Sequence, residues 1–231
     1  MVEVILDQAR CNLRLKNYKN AYDVAILLLD YLGNIEDKRK LAEVYHLVAI
    51  LSLRIDLNDF TKLENKAIKA NKEDYSVKAE NKFDYTVIFF EKGYKKKALK
   101  FLKESIEVFP KENKQQLTSF ILKNVNLLIE NNEIDKADSL CEDSFNAAID
   151  LKNDKLIEKA YYYKSLILCS QSNFASAEMY INLSLDVLTN FGKKNEIYTR
   201  YMEIGKMYNK IGAISDSLKY FTLAILLKQK L

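Results

Sequence analysis

The chain has 231 residues, with 36 Lys and Arg against 32 Asp and Glu, a formal net charge of +4, and 48% hydrophobic residues. So slight an excess of positive charge argues against direct nucleic-acid binding, which gathers basic residues into one stripe. The longest purely apolar stretch, Val24 to Leu29, is far too short for a membrane span, and five glycines with one proline leave little material for strand turns or linkers.

In chain order, the hydrophobic spacing predicts twelve helices in six antiparallel pairs: 2–16 with 18–32, 38–56 with 60–72, 75–92 with 95–109, 113–131 with 134–150, 155–171 with 174–191, and 194–210 with 215–230. Each pair carries a usually small residue in its first helix and another twelve positions later. The second of these falls at Ala21, Leu63, Ala98, Ala137, Ala177 and Ser217, in steps of 42, 35, 39, 40 and 40. A recurrence near 40 residues marks a repeat array, whose units bury their apolar faces only by stacking on neighbours. A single domain over residues 1–231 is therefore expected, with repeats at 2–32, 38–72, 75–109, 113–150, 155–191 and 194–230.

The last unit carries the pattern most fully. Tyr201, Ile204, Gly205 and Tyr208 precede a turn at Lys210 to Ala213, followed by Ser217, Phe221 and Ala224. Small residues at Gly205 and Ser217 let two helices approach while the aromatic rings fill the space around them. The third unit repeats the scheme with Tyr85, Thr86 and Phe89, then Ala98 and Leu102, and places Pro110 where a proline stops the second helix. The second unit is the weakest, because Leu51 and Leu63 are large where the contact should be tight.

These residues resemble the tetratricopeptide repeat, from about Ile5 to about Leu227, with Tyr201 standing where that family has Trp. The resemblance implies an all-α, right-handed superhelical solenoid. A period near 40, against roughly 34 for the common repeat, also resembles bacterial peptide-sensing regulators that fuse such an array to an N-terminal effector. The repeat pattern starts within the first ten residues, so no helix-turn-helix is expected in this chain.

Catalytic chemistry has little to stand on. His46 is the only histidine, no phosphate-binding loop, nucleophile elbow or paired-cysteine motif occurs, and neither a metal site nor a cofactor site is expected. Cys11, Cys141 and Cys169 are an odd number without close spacing, which fits a reducing compartment, and the start lacks a signal-peptide layout. Cytoplasm is the expected location. Lys95, Lys96 and Lys97 read as a solvated helix start.

In tetratricopeptide arrays the first helix of each pair lines the concave wall, so the resemblance implies a groove for a peptide or an extended protein segment. Projecting that face gives Phe83 and Phe90, Lys123 and Asn126, Tyr162 and Tyr163, and Lys206 and Asn209 as candidate contacts. The two asparagines could bond a peptide backbone, and the tyrosines could stack on a ligand side chain. The apolar last helix, with Phe221, Leu223, Ile225, Leu226, Leu227 and Leu231, supports an alternative role in assembly, homodimerisation through the C-terminal repeat.

Overall fold

The computed structural model describes residues 1–57, 59–70 and 74–229. Twelve α-helices follow one another: α1 (Val2–Arg14), α2 (Tyr18–Ile26), α3 (Lys38–Arg54), α4 (Phe60–Ala70), α5 (Tyr75–Glu91), α6 (Lys95–Glu107), α7 (Lys114–Glu130), α8 (Ile134–Asp150), α9 (Asp154–Ser170), α10 (Phe174–Phe191), α11 (Lys194–Lys210) and α12 (Ile214–Lys228). No strand occurs among the described residues, and no helix there is long and apolar enough to cross a membrane. The helices are those expected from the spacing. Residues 71–72 of the fourth expected helix, residue 230 of the last, and Leu231 lie outside the described residues.

One expected helix is broken. The segment read as continuous over 18–32 is α-helical only to Ile26 and continues as a 3-10 helix, Leu27–Asn34. A 3-10 turn eclipses side chains three apart, and here that winding buries Leu28 and carries the chain to Ile35 in extended conformation.

The turn inside each pair is built the same way six times. Lys16, Asp56, Gly93, Asn132, Ser172 and Gly212 all have left-handed φ, between 59° and 78°. The next residue in each case donates its N–H to the carbonyl five positions back, as in Asn17 to Asn12, Tyr94 to Phe89 and Ala213 to Tyr208. This closure satisfies carbonyls that the helix end would leave orphaned. Only two of the six positions hold glycine, the residue that adopts this conformation without cost. Four starts are capped by a side chain: Asp37, Asp74, Asn153 and Asn173 take N–H bonds from Arg39, Val77, Leu156 and Ser176.

The small-residue contacts lie where the spacing puts them. Ala9, Ala21, Thr86, Ala98, Val125, Ala137, Ser165, Ala177, Gly205 and Ser217 are all buried, as are the bulkier Leu51 and Leu63. A Cβ added at Gly205 would stand 2.6 Å from Phe221 Cε1, and Ser217 Oγ donates to the Gly205 carbonyl at 2.8 Å.

The chain packs as two compact units, Met1–Pro110 and Lys111–Leu231. The core of the first joins Leu6, Val44, Leu47 and Leu51 to an aromatic nest in which Phe60 meets Tyr85 edge-on at 4.7 Å and Phe89 lies 5.3 Å from Phe101. In the second, Leu122, Ala148, Leu156 and Ala160 form one cluster, and Leu168, Ile181, Ile204 and Tyr208 belong to another.

Candidate functional site

Within the first unit, α1, α3 and α5 are the first helices of their pairs, and together they frame a hollow of about 520 Å³. His46 stands at this hollow. Its Nε2 is 2.9 Å from Asp84 Oδ2 and its Nδ1 is 3.0 Å from the Tyr85 hydroxyl. A carboxylate can only accept, so in the neutral ring Nε2 carries the proton and Nδ1 accepts from Tyr85. Burial, with Glu64 and Asp84 nearby, holds the Tyr85 hydroxyl well above its ordinary pKa, which keeps it a donor.

The walls of the hollow are charged with both signs. Glu3, Asp37 and Glu43 stand against Arg10, Arg39 and Lys40, with Leu6, Val77 and Asn81 between them. The charges are paired: Arg10 bonds Glu43 and reaches Asp7 at 3.3 Å, Lys40 meets Glu3, and Arg39 lies 3.8 Å from Asp74. Behind the wall, Lys82 Nζ sits 2.6 Å from Glu104 and 3.7 Å from Glu64, whose carboxyl is pushed up by burial while Lys82 opposes the rise. Of the residues singled out from sequence, Phe83 and Phe90 are half-buried on α5, Phe90 against the unit's core, and neither lines the hollow.

Within the second unit, α7, α9 and α11 supply the other candidates. Asn126 donates to Glu130 at 2.8 Å, one turn along α7, and Lys123 lies over the Phe120 ring at 5.9 Å. On α9, the rings of Tyr162 and Tyr163 are 5.5 Å apart. Burial raises both hydroxyls above their ordinary pKa; Glu203 adds to the rise at Tyr162, and Glu158 and Glu130 add to it at Tyr163. Tyr163 thus feels the Glu130 carboxylate of α7, and Tyr162 that of Glu203 on α11. Lys206 and Asn209 are exposed further along α11.

Beneath the tyrosines lies a polar network that sequence reasoning missed. Arg200 of α11 donates to Ser184 at 2.8 Å and to Glu158 at 2.7 Å, Ser184 donates to the same Glu158 oxygen at 2.9 Å, and the guanidinium covers the Tyr162 ring at 3.5 Å. Burial pushes the Glu158 carboxyl up, and Arg200 opposes the shift. The available signal was a Glu and an Arg 42 residues apart, close to one period, each on the inward side of its helix.

No family model matches the chain, and no curated protein matches it. Solved structures do. A Signal Transduction ATPase with Numerous Domains from Pyrococcus horikoshii, with a tetratricopeptide repeat sensor, superposes with a TM-score of 0.57 at 16% identity, over 99% of this chain and 34% of that one. Aspartyl phosphate phosphatase F from Bacillus subtilis gives 0.60 at 18% identity, over 90% of this chain and 56% of that one. A Rap protein complexed with Competence and Sporulation Factor gives 0.56 at 14% identity, over 98% and 76%. The chain thus spans about a third of the first protein and just over half of the second. At such identities the likeness is one of fold, and the fold is that of a tetratricopeptide-like helical repeat protein.

Proposed function

We propose that this chain is a non-enzymatic cytoplasmic scaffold that holds a peptide or an extended protein segment against the first helices of its repeats. The observation that carries this reading is the hollow of the first unit, open to solvent and framed by three such helices. Its three carboxylates balance its three cations, so it suits a segment of mixed charge: Arg10 and Lys40 can exchange their present partners for carboxylates or carbonyls of the ligand, and Glu3 and Glu43 for its cations and N–H groups. In the second unit, Asn126, Tyr162 and Tyr163 offer an amide and two rings for the same kind of ligand. The narrower reading is the peptide-sensing part of a bacterial transcriptional or signalling regulator. The match to a Rap protein in complex with a factor and to a repeat sensor supports it.

Anisotropy titrations with three pools of short fluorescent peptides, acidic, basic and mixed in charge, test this. The mixed pool should bind saturably, with affinity reduced about tenfold in Glu43→Gln and in Arg10→Ala. Absence of saturable binding by every pool, or binding indifferent to both substitutions and to Asn126→Ala, would refute the reading.

A further inference from the structure

Exposed apolar side chains are most numerous near the two ends of the repeat series. Among the described residues, eight of the fourteen exposed large hydrophobics lie in the first and last repeats: Met1, Val4, Leu15 and Leu27, then Ile214, Leu218, Ile225 and Leu226. On the last repeat, Tyr198, Met202, Phe221 and Ile225 line an open groove of about 600 Å³ between α11 and α12.

The left-handed turn residues put the repeats in register. Ser172 and Gly212 are 40 apart, and Lys16 and Gly212 are 196 apart. At the junction of the fifth and sixth repeats, Arg200 meets Glu158, Ser184 and the Tyr162 ring. Moving the three partners forward by 40 gives Tyr198, Ala224 and Met202 on the last repeat. Moving Arg200 back by 196 gives Val4 on the first. Tyr198 and Met202 on the last repeat and Val4 on the first thus put apolar side chains where that junction has a carboxylate, a ring and a guanidinium, while Ala224 is buried within its own repeat. Val4 is 67% exposed and Ile225 is 56% exposed. Charges beside the two faces can pair across the contact: Asp7, 71% exposed and 3.3 Å from Arg10, stands a turn from Val4, while Lys228 lines the groove and Lys206 lies a turn from Met202 on α11.

We propose that a second copy of this chain stacks head to tail, with α1 of one copy lying on the α11–α12 groove of the other, so that the repeat series continues from copy to copy. The contact joins two different faces, and each added copy leaves one of each free. Association is therefore stepwise and does not stop at two.

Sedimentation velocity and light scattering of the full chain, from micromolar to submillimolar concentration, read this out. The average mass should climb beyond that of two chains. Val4→Glu and, separately, Ile225→Glu should each weaken association by more than about a hundredfold, because each buries an unpaired charge at the contact. Both positions are exposed in the isolated chain, and unchanged helical circular dichroism confirms that each variant folds. A monomer at every concentration would overturn the proposal and leave the groove to another partner, such as a further repeat. A mass that stops at two and responds to Ile225→Glu but not to Val4→Glu would also overturn it, in favour of a two-fold contact between copies of α12.

Discussion

Replacing Arg200 by Leu tests what the buried network beneath Tyr162 contributes. The substitution removes two donors to Glu158 and Ser184 and the cation covering the Tyr162 ring, and it leaves the Glu158 carboxylate buried without its ion-pair partner. Breaking a buried pair by removing one partner costs about 3–5 kcal/mol, and loss of the ring contact adds roughly 0.5–2 kcal/mol. Protonation of Glu158 relieves part of this, so a net loss of about 3–4 kcal/mol is expected at neutral pH. The carboxyl, already raised by burial in the native chain, rises further in the variant. A carboxyl whose folded pKa lies above its unfolded value favours folding fully below the unfolded pKa, about 4.3, and loses that contribution as pH rises through the folded pKa. The penalty should therefore be smaller near about pH 5 than near about pH 7.5. Urea unfolding followed by circular dichroism at both pH values measures it. Glu158→Leu combined with Arg200→Leu should recover most of the loss, since an apolar pair of similar volume often replaces a buried ion pair without cost. A penalty under about 1 kcal/mol, or one independent of pH, would refute the reasoning.

Other consequences of the packing are open to measurement. Gly205→Ala drives a Cβ against Phe221 and should destabilise by about 1–3 kcal/mol, visible as a lower thermal midpoint. Lys16→Gly and Ser172→Gly, which relieve left-handed backbone, should each stabilise by about 0.5–1 kcal/mol in urea titrations, whereas Gly212→Ala should destabilise by a similar amount. The Cys141 thiol is pushed up to about 12, chiefly by burial, while Cys11 is exposed; a thiol reagent at mildly alkaline pH should therefore modify Cys11 first and reach Cys141 only on unfolding. Equal rates at the two thiols would contradict the burial of Cys141. Tyr85→Phe removes the hydroxyl that donates to His46 Nδ1 and should cost about 1 kcal/mol, measured by the urea midpoint.

Much of the architecture was legible because hydrophobic spacing and turn signals agree locally. The small residues twelve apart identify the two helices of each pair, and α8, α10 and α11 begin and end where the spacing predicts. The break after Ile26 was not legible, since Leu27, Leu28 and Leu29 suit either helix type and only the route to Ile35 decides between them. The turns were placed, but the left-handed conformation at Lys16, Asp56 and Ser172 was not legible, because none of the three carries a glycine signal. At the site, the face projection found Tyr162 and Tyr163 but not what holds them. Arg200 reads as an ordinary helical cation until its neighbours on α9 and α10 are known. The mixed-charge hollow was hidden likewise, because Glu3, Arg10 and Glu43 look like solvated residues singly and form a wall only when α1 and α3 lie side by side.

The recurrent turn also bears on how the molecule folds. Each closes by hydrogen bonds spanning five residues or fewer and brings together residues only twelve apart, so a helix pair can form without waiting for distant segments. Nucleation is then available at any repeat, and growth proceeds by docking neighbours onto the pair already formed. The first pair, whose second helix ends in a 3-10 segment with poorer hydrogen-bond geometry, should be the last to consolidate and the first to exchange its amide hydrogens with solvent.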